Sequence, residues 1–277
     1  MVIAEHKGVS TTSSNANPAQ LAHILDKQPG RYGIYAKNLR TGTTIAYNEH
    51  LSFPSASLIK VPIMIEIFRR VEEDNLSLDQ TLTLRAEDRV PGSGVLHDLT
   101  PGTSYVLRDL TTLMITVSDN TATNLLIDYC GVETINHTTQ SLGAHNTELV
   151  RKLQRVPAIR PTTNRTTAYD MALLMEHIAR GTAISQAASQ AMAHVLRRCQ
   201  SPLRIGPSPS EPPYSGQPAR IVAAHKTGSL SDACHDAGIM YLPKISYVAA
   251  ILSHGAPENR LAQTVSRIGR HFPVWLI

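Results

Sequence analysis

Ser57 stands three residues before Lys60 in PSASLIKVPIMIEIF, residues 54–68. Residues three apart on a helix share a face, so this spacing presents a hydroxyl to an amine. If Ser57 opens that helix, its backbone N–H is also free, because the first turn has no internal acceptor for it. One short segment would then supply a nucleophile, a base and half of an oxyanion hole. A lysine acts as a base only after losing its proton, and burial or a second cation nearby moves its pKa toward neutrality. The apolar run VPIMIEIF directly after Lys60 supplies the burial. The plainer alternative is a lysine whose stem covers apolar surface while its charge stays in water.

Two further stretches bear on that choice. In ITVSDNTATN, Ser118, Asp119 and Asn120 precede a helical pattern. All three types favour a helix N-cap, and the same loop can aim a hydroxyl and an amide into a cleft. In AHKTGSL, Lys226, Thr227, Gly228 and Ser229 lie on an apolar strand. A charge, two hydroxyls and a bare backbone suit an anionic substrate; a lysine at a strand end before a turn is the plainer reading. S-x-x-K alone is expected roughly once by chance in a chain this long, and SDN and KTG each in roughly one such chain in twenty. All three in this order make coincidence a matter of a few in a thousand, in order of magnitude. Lys60 is accordingly read as the partner of Ser57.

These residues need a scaffold. PAQLAHILDKQP, residues 18–29, opens with Pro at a first helical position. RYGIYAKNL and TTIAYNEH read as strands around the turn RTG. From Ser57 to about residue 200 the patterns are helical, in LRDLTTLMITV, NTATNLLIDYCG, TTAYDMALLMEHIARG and SQAASQAMAHVLRRC. The Pro-, Gly- and Ser-rich stretch 201–218 reads as a loop. Strand patterns return in RIVAAHKTG, AGIMYLP and SYVAAILSHG, and PENRLAQTVSRIGRHF closes the chain as a helix. The expectation is an α+β fold: an antiparallel sheet flanked by the two terminal helices, with an inserted all-α subdomain. Residues 1–17 read as a flexible tail, 18–56 and 203–277 together as an α/β subdomain, and 57–202 as the all-α subdomain.

The bulk numbers narrow the function classes. The 277 residues are 42% hydrophobic and 17% charged, with a net charge of +4, as for a soluble globular chain. No basic run or aromatic-interleaved patch concentrates that charge, which argues against nucleic acid. No run long enough for a transmembrane segment occurs. The opening residues carry no apolar core of signal-peptide length, so the expectation is cytoplasmic, or periplasmic or secreted if a leader was removed. Three cysteines at unpatterned spacing and twelve scattered histidines indicate neither a disulfide framework nor a metal site, and no cofactor is expected. A monomer is expected.

SLIK, SDN and KTG together resemble the motif set of class A serine β-lactamases and penicillin-binding proteins. The similarity runs from about residue 18 to the end, and LMITVSDNTATNLL and KTGSL…DAGIMYLP are especially close to the class A shape. The resemblance implies that Ser57 is acylated, that Lys60 takes its proton, and that Ser118 passes a proton to the leaving nitrogen. It implies that Asn120 binds the substrate's amide side chain, and that Lys226 with Thr227 faces a carboxylate. It also implies an oxyanion hole from the N–H groups of Ser57 and Ser229, with Asp119 holding its loop. Two departures stand out. TELVRKLQRVPAIRPTTNRTTAYDMA lacks the Arg-x-Glu-x-x-Leu-Asn pattern whose glutamate positions the deacylating water; its one Glu is Glu148, at the front edge. The strand after KTG has no arginine for a carboxylate, and His235 is the only candidate. Loops 90–99 and 201–218 are candidates for the cleft walls. The expected function is a serine acyl-transfer hydrolase of peptidase, amidase or esterase type, acting on a small-molecule or peptide amide or ester and turning β-lactams over slowly. The alternatives are a genuine β-lactamase with another deacylation base, and a non-catalytic lactam-binding sensor or scaffold.

Overall fold

The computed structural model describes residues 10–11, 18–154, 163–207 and 222–277. The strands are β1 (Ser10–Thr11), β2 (Arg31–Asn38), β3 (Thr44–Tyr47), β4 (Phe53–Pro54), β5 (Thr81–Thr83), β6 (Ser104–Val106), β7 (Arg165–Thr166), β8 (Val222–Leu230), β9 (Ala233–Tyr241) and β10 (Ser246–His254). The helices are α1 (Pro18–Leu25), α2 (Lys60–Glu73), α3 (Leu107–Thr116), α4 (Asn120–Cys130), α5 (Val132–Ser141), α6 (Ala168–Arg180), α7 (Gln186–Leu196), α8 (Glu258–Gly269) and α9 (Phe272–Trp275).

The main sheet is antiparallel throughout, in the order β1-β3-β2-β10-β9-β8. Its central strands are buried on both faces, which is why they read as continuous apolar runs. Along β10, Tyr247, Ala249 and Ile251 join one core, with Leu21 and Ile24 of α1 and Leu261, Val265 and Ile268 of α8. Val248, Ala250 and Leu252 alternate with them and join the other core, under the helical block. Within that block α2 is apolar on nearly every side: Val61, Ile63, Met64, Ile65 and Ile67 are all buried. Such a helix belongs at the centre of a protein, and α2 contacts α3, α4, α5 and α7. Its one buried carboxylate, Glu66, is held by Arg69 (2.8 and 3.0 Å), Arg70 (2.8 Å) and Thr138 (2.6 Å).

The helix ends follow local chemistry. Thr167 caps α6 by accepting the Asp170 N–H at 3.1 Å, and Gly181 stops it in the left-handed region at φ +75°. Two features depart from expectation. α2 begins at Lys60, and Ser57 lies in a preceding 3-10 turn, Ala56–Ile59. Ser10–Thr11, within the stretch read as a flexible tail, pair with β3. The expected loop 201–218 carries no helix or strand over 201–207; its remainder lies outside the described residues.

Candidate active site

The nucleophile turn is tied down from three sides. β4 pairs with β7 (Pro54 opposite Arg165), the Ser55 N–H donates to the Asn164 carbonyl at 2.8 Å, and His235 Nε2 donates to the Pro54 carbonyl at 2.8 Å. Ala56 is then held at φ +45°, a conformation costly for a residue with a Cβ and one that clusters at functional sites. Ser57 follows, half-buried at the start of the 3-10 turn. β8 presses against this turn: a Cβ at Gly228 would sit 3.2 Å from the Ser57 nitrogen and 3.3 Å from that of Leu58. The glycine of KTG lets the edge strand approach the nucleophile turn closely; a side chain there would force the turn to give by a few tenths of an ångström.

Lys60 is fully buried. Its ammonium donates to the Ser118 carbonyl (2.5 Å), the Ser118 hydroxyl (2.9 Å) and Asn120 Oδ1 (2.9 Å). Lys226, equally buried, donates to the Ser118 hydroxyl at 3.2 Å and to the Thr227 carbonyl at 2.8 Å. Ser118 Oγ is therefore a bridge between two cations, and its backbone is held at φ +58° to put it there. Burial, and then the charge of Lys226, hold the Lys60 pKa well below its ordinary value; burial brings Lys226 down to about 8. Three acceptors saturate Lys60 as an ammonium, and Ser57 Oγ is not among them. Losing one proton leaves two donors and a lone pair, the form that can take a proton from Ser57.

Asp119 is structural, as expected. Its carboxylate caps α4 at the Ala122 N–H (2.9 Å) and accepts the N–H groups of Val95 and Leu96 (2.7 Å each). That pulls loop 90–99 over the SDN segment, where the Asn120 amide donates to the Pro91 carbonyl at 3.2 Å. The cleft, about 440 Å³, is lined by Ser57, Ser93, Asn120 and Ser229, with Arg151, Lys152, Leu153, Gln154, Thr163 and Asn164 opposite. Ser57, Asn120 and Ser229 line the cleft; Asn120 accepts from Lys60, and Lys60 and Lys226 both donate to the Ser118 hydroxyl. Lys60, Ser118, Lys226 and Thr227 are not among the lining residues, and Lys60, Lys226 and Thr227 are buried.

Several residues escaped the sequence reading. Asn124 pins the wall by exchanging two hydrogen bonds with the backbone of Leu153 (2.8 and 2.9 Å); Leu153 lines the cleft and also packs against the core of the helical block. Asn164 accepts the N–H groups of Val150 and Arg151 and passes the link on to Ser55. Both are asparagines that serve loop backbones from a distance in sequence, so no local pattern announces them. Two candidates fail. Glu148 is bound by Arg165 (3.0 and 2.9 Å) and lines a separate pocket with Gln140 and His145. His235 is fully buried, with Nδ1 accepting the Ser253 N–H at 3.1 Å. Burial lowers its pKa to about 4, so it is a neutral brace and no anchor for a carboxylate.

The sequence profile of the β-lactamase enzyme family matches residues 18–275. The chain belongs to that family. The family's serine β-lactamase and penicillin-binding branch is also where its structural neighbours lie. A β-lactamase from Sphaerobacter thermophilus superposes with a TM-score of 0.84 at 33% identity, over 94% of this chain and 99% of that one. PBP-A superposes with a TM-score of 0.80 at 28% identity over 92% and 95%, and a PBP-A variant is solved as an acyl-enzyme complex with penicillin G. Among curated relatives, a Streptomyces cellulosae β-lactamase is 29% identical over 63% of this chain, and a Nocardia asteroides β-lactamase 27% over 93%. The match spans 58% of the Streptomyces enzyme and 84% of the Nocardia one.

Proposed function

We propose that the chain is a serine acyl-transfer hydrolase that forms an acyl-enzyme on Ser57, accepts β-lactams as acylating ligands and releases them slowly. The observation that carries this reading is an asymmetry in one cleft. The buried Lys60–Ser118–Lys226 cluster stands on the Ser57 side, while the described opposite wall, Arg151–Gln154 with Thr163 and Asn164, contains no carboxylate.

In the first step Ser57 Oγ bonds to the substrate carbonyl carbon as its proton passes to neutral Lys60. The carbonyl oxygen takes the negative charge between the N–H groups of Ser57 and Ser229, where fixed donors contribute most to rate. The C–N bond then breaks, and the proton moves from Lys60 through Ser118 to the leaving nitrogen. Asn120 holds the acyl side chain, and the charge of Lys226, whose ammonium is braced by the Thr227 carbonyl, favours a substrate carboxylate. Release needs a water and a base, and the described residues of the wall include neither Glu nor Asp. The peptidase, amidase and esterase types share this mechanism, and a leaving group that departs opens the site to water in a way that the tethered amine of a lactam does not. The β-lactamase relatives favour a second reading, efficient lactam hydrolysis with another base.

Intact-mass spectrometry after exposure to penicillin G tests the nucleophile. One adduct per chain, localised to Ser57 and absent from Ser57→Ala, is the expected result. An adduct of unchanged yield on Ser57→Ala overturns the assignment.

A further inference from the structure

A second cavity lies between α6, α7 and the end of β9, and it shares no lining residue with the catalytic cleft. It holds about 380 Å³, a volume in the range of small-molecule sites. α7 contributes Gln186, Gln190, His194 and Arg197, spaced so that they share one face of the helix. Tyr241, the last residue of β9, lines the cavity as well. No Asp or Glu does.

Two side chains give this cavity unspent chemistry. The first is Ser189, which lines it while only 1% exposed and whose hydroxyl has no hydrogen-bond partner among the described residues. A helical hydroxyl readily turns back to the carbonyl four residues earlier. Thr116 and Thr139 do so here, at 2.9 and 2.6 Å. Ser189 does not, although its backbone N–H reaches the Ser185 carbonyl at 3.0 Å. An unpaired buried hydroxyl costs stability, and a fold that keeps one calls for a reason. The second is Arg197. Its guanidinium lies over the Tyr241 ring, 5.0 Å from the centroid, and makes no ion pair among the described residues. Stacking on a ring orients the planar fork and leaves its N–H edge for another partner.

We propose that this cavity is a binding site for a small carboxylate that carries an amide, of the size of an N-acyl amino acid, with the carboxylate on Arg197 and the opposite polar end on Ser189. The ligand class follows from the lining. One permanent cation with no acidic neighbour selects a monoanion, and the guanidinium fork matches a carboxylate with two parallel hydrogen bonds. Gln186 and Gln190 both donate and accept, as an amide in the ligand does. Ile178 and Ala193 offer apolar contact for the ligand's body. The length agrees. Ser189 and Arg197 are eight residues apart, about 12 Å along a helix axis. Less the reach of the arginine side chain, that span is too long for a simple anion and suits a molecule of this size. The assignment does not rest on the acyl-transfer reading.

The test is a residue-resolved NMR titration with hippurate (N-benzoylglycine), carried out on the Ser57→Ala protein so that turnover cannot consume the probe. Saturable shifts should centre on Ser189, Gln190, Arg197 and Tyr241, with a dissociation constant of about a millimolar for a molecule this small. Hippuramide, which lacks the charge, should bind about tenfold more weakly, and 4-phenylbutyrate, which lacks the amide, severalfold more weakly. Arg197→Gln, at an exposed position, should weaken hippurate about tenfold. Ser189→Ala separates a hydroxyl kept for a ligand from one kept for the fold. It should weaken hippurate severalfold while the Tm of the free protein holds or rises, because no bond within the protein is lost and alanine favours a helix. A lower Tm in Ser189→Ala with unchanged binding, equal affinity for hippurate and hippuramide, shifts confined to the catalytic cleft, or no saturable shift up to about 20 mM overturns the site. Equal affinity for 4-phenylbutyrate overturns the amide in the ligand class.

Discussion

The two sides of the cleft are built on opposite principles. On the α2 and α4 side, two lysines are buried together around one hydroxyl, with Ala56 and Ser118 held in left-handed backbone to position the parts. On the other side, residues 150–154 and 163–164 are fastened by neutral amides, Asn124 and Asn164, and present to the cleft a leucine, a glutamine, cations and hydroxyls. Burying two like charges costs stability, and persists only where function repays it. Under the proposed function, the buried lysines serve formation of the acyl-enzyme, and the described wall offers no carboxylate to assist its hydrolysis.

The largest effect expected from breaking the first side comes at Lys60. Lys60→Arg keeps a positive charge but cannot lose its proton near neutral pH. Acylation by penicillin G should fall about 10²- to 10⁴-fold, the usual worth of general-base help, and as far as it falls in Lys60→Ala. Stopped-flow acylation rates check this; an Arg variant that keeps most of the rate would make Lys60 an electrostatic anchor and assign the base elsewhere.

The opposite side can be supplied with what it lacks. Leu153→Glu adds a carboxylate at a residue that lines the same cleft as Ser57, and should shorten the lifetime of the penicillin adduct by about 10²-fold or more. Leu153→Gln, of similar size without a base, should leave it within about threefold of the parent. Equal lifetimes in all three proteins would show that hydrolysis is limited by something other than a missing base.

A smaller effect concerns the carboxylate. Lys226 is charged below about pH 8 and neutral above it. Acylation by an anionic penicillin, measured as kcat/KM, should therefore decline as pH rises through about 8 relative to that by an uncharged ester, by severalfold. Parallel profiles for the two substrates would remove Lys226 from carboxylate recognition.

The two sides also differed in how far the sequence disclosed them. SLIK, SDN and KTG are compact motifs whose chemistry is written in residue types, and the periodicities of α3 and α4 and the apolar run of β8 marked elements that carry two of them. The wall is written in long-range pairings: β4 with β7 joins residue 53 to residue 166, and Asn124 reaches Leu153. Such contacts leave no local period. Leu153 in particular looks like any apolar residue until its neighbours are known. His235 misled for a related reason: its type suggested an anion ligand, and only the packing against Phe53 and the Pro54 carbonyl reveals a buried brace. The 3-10 turn before α2 was hidden because the strain at Ala56 is imposed by β4 and β8 from outside.

The central claim is that acylation outruns release, and nitrocefin reads both in one trace. Mixed in excess with the native protein, it should give a burst close to one equivalent per active site, then a steady rate slower by about 10²-fold or more. Penicillin G mass spectra over hours should show the adduct persisting in step with that slow phase. Burst-free hydrolysis at tens of turnovers per second would contradict the account, and would mean that the cleft contains an effective base for water.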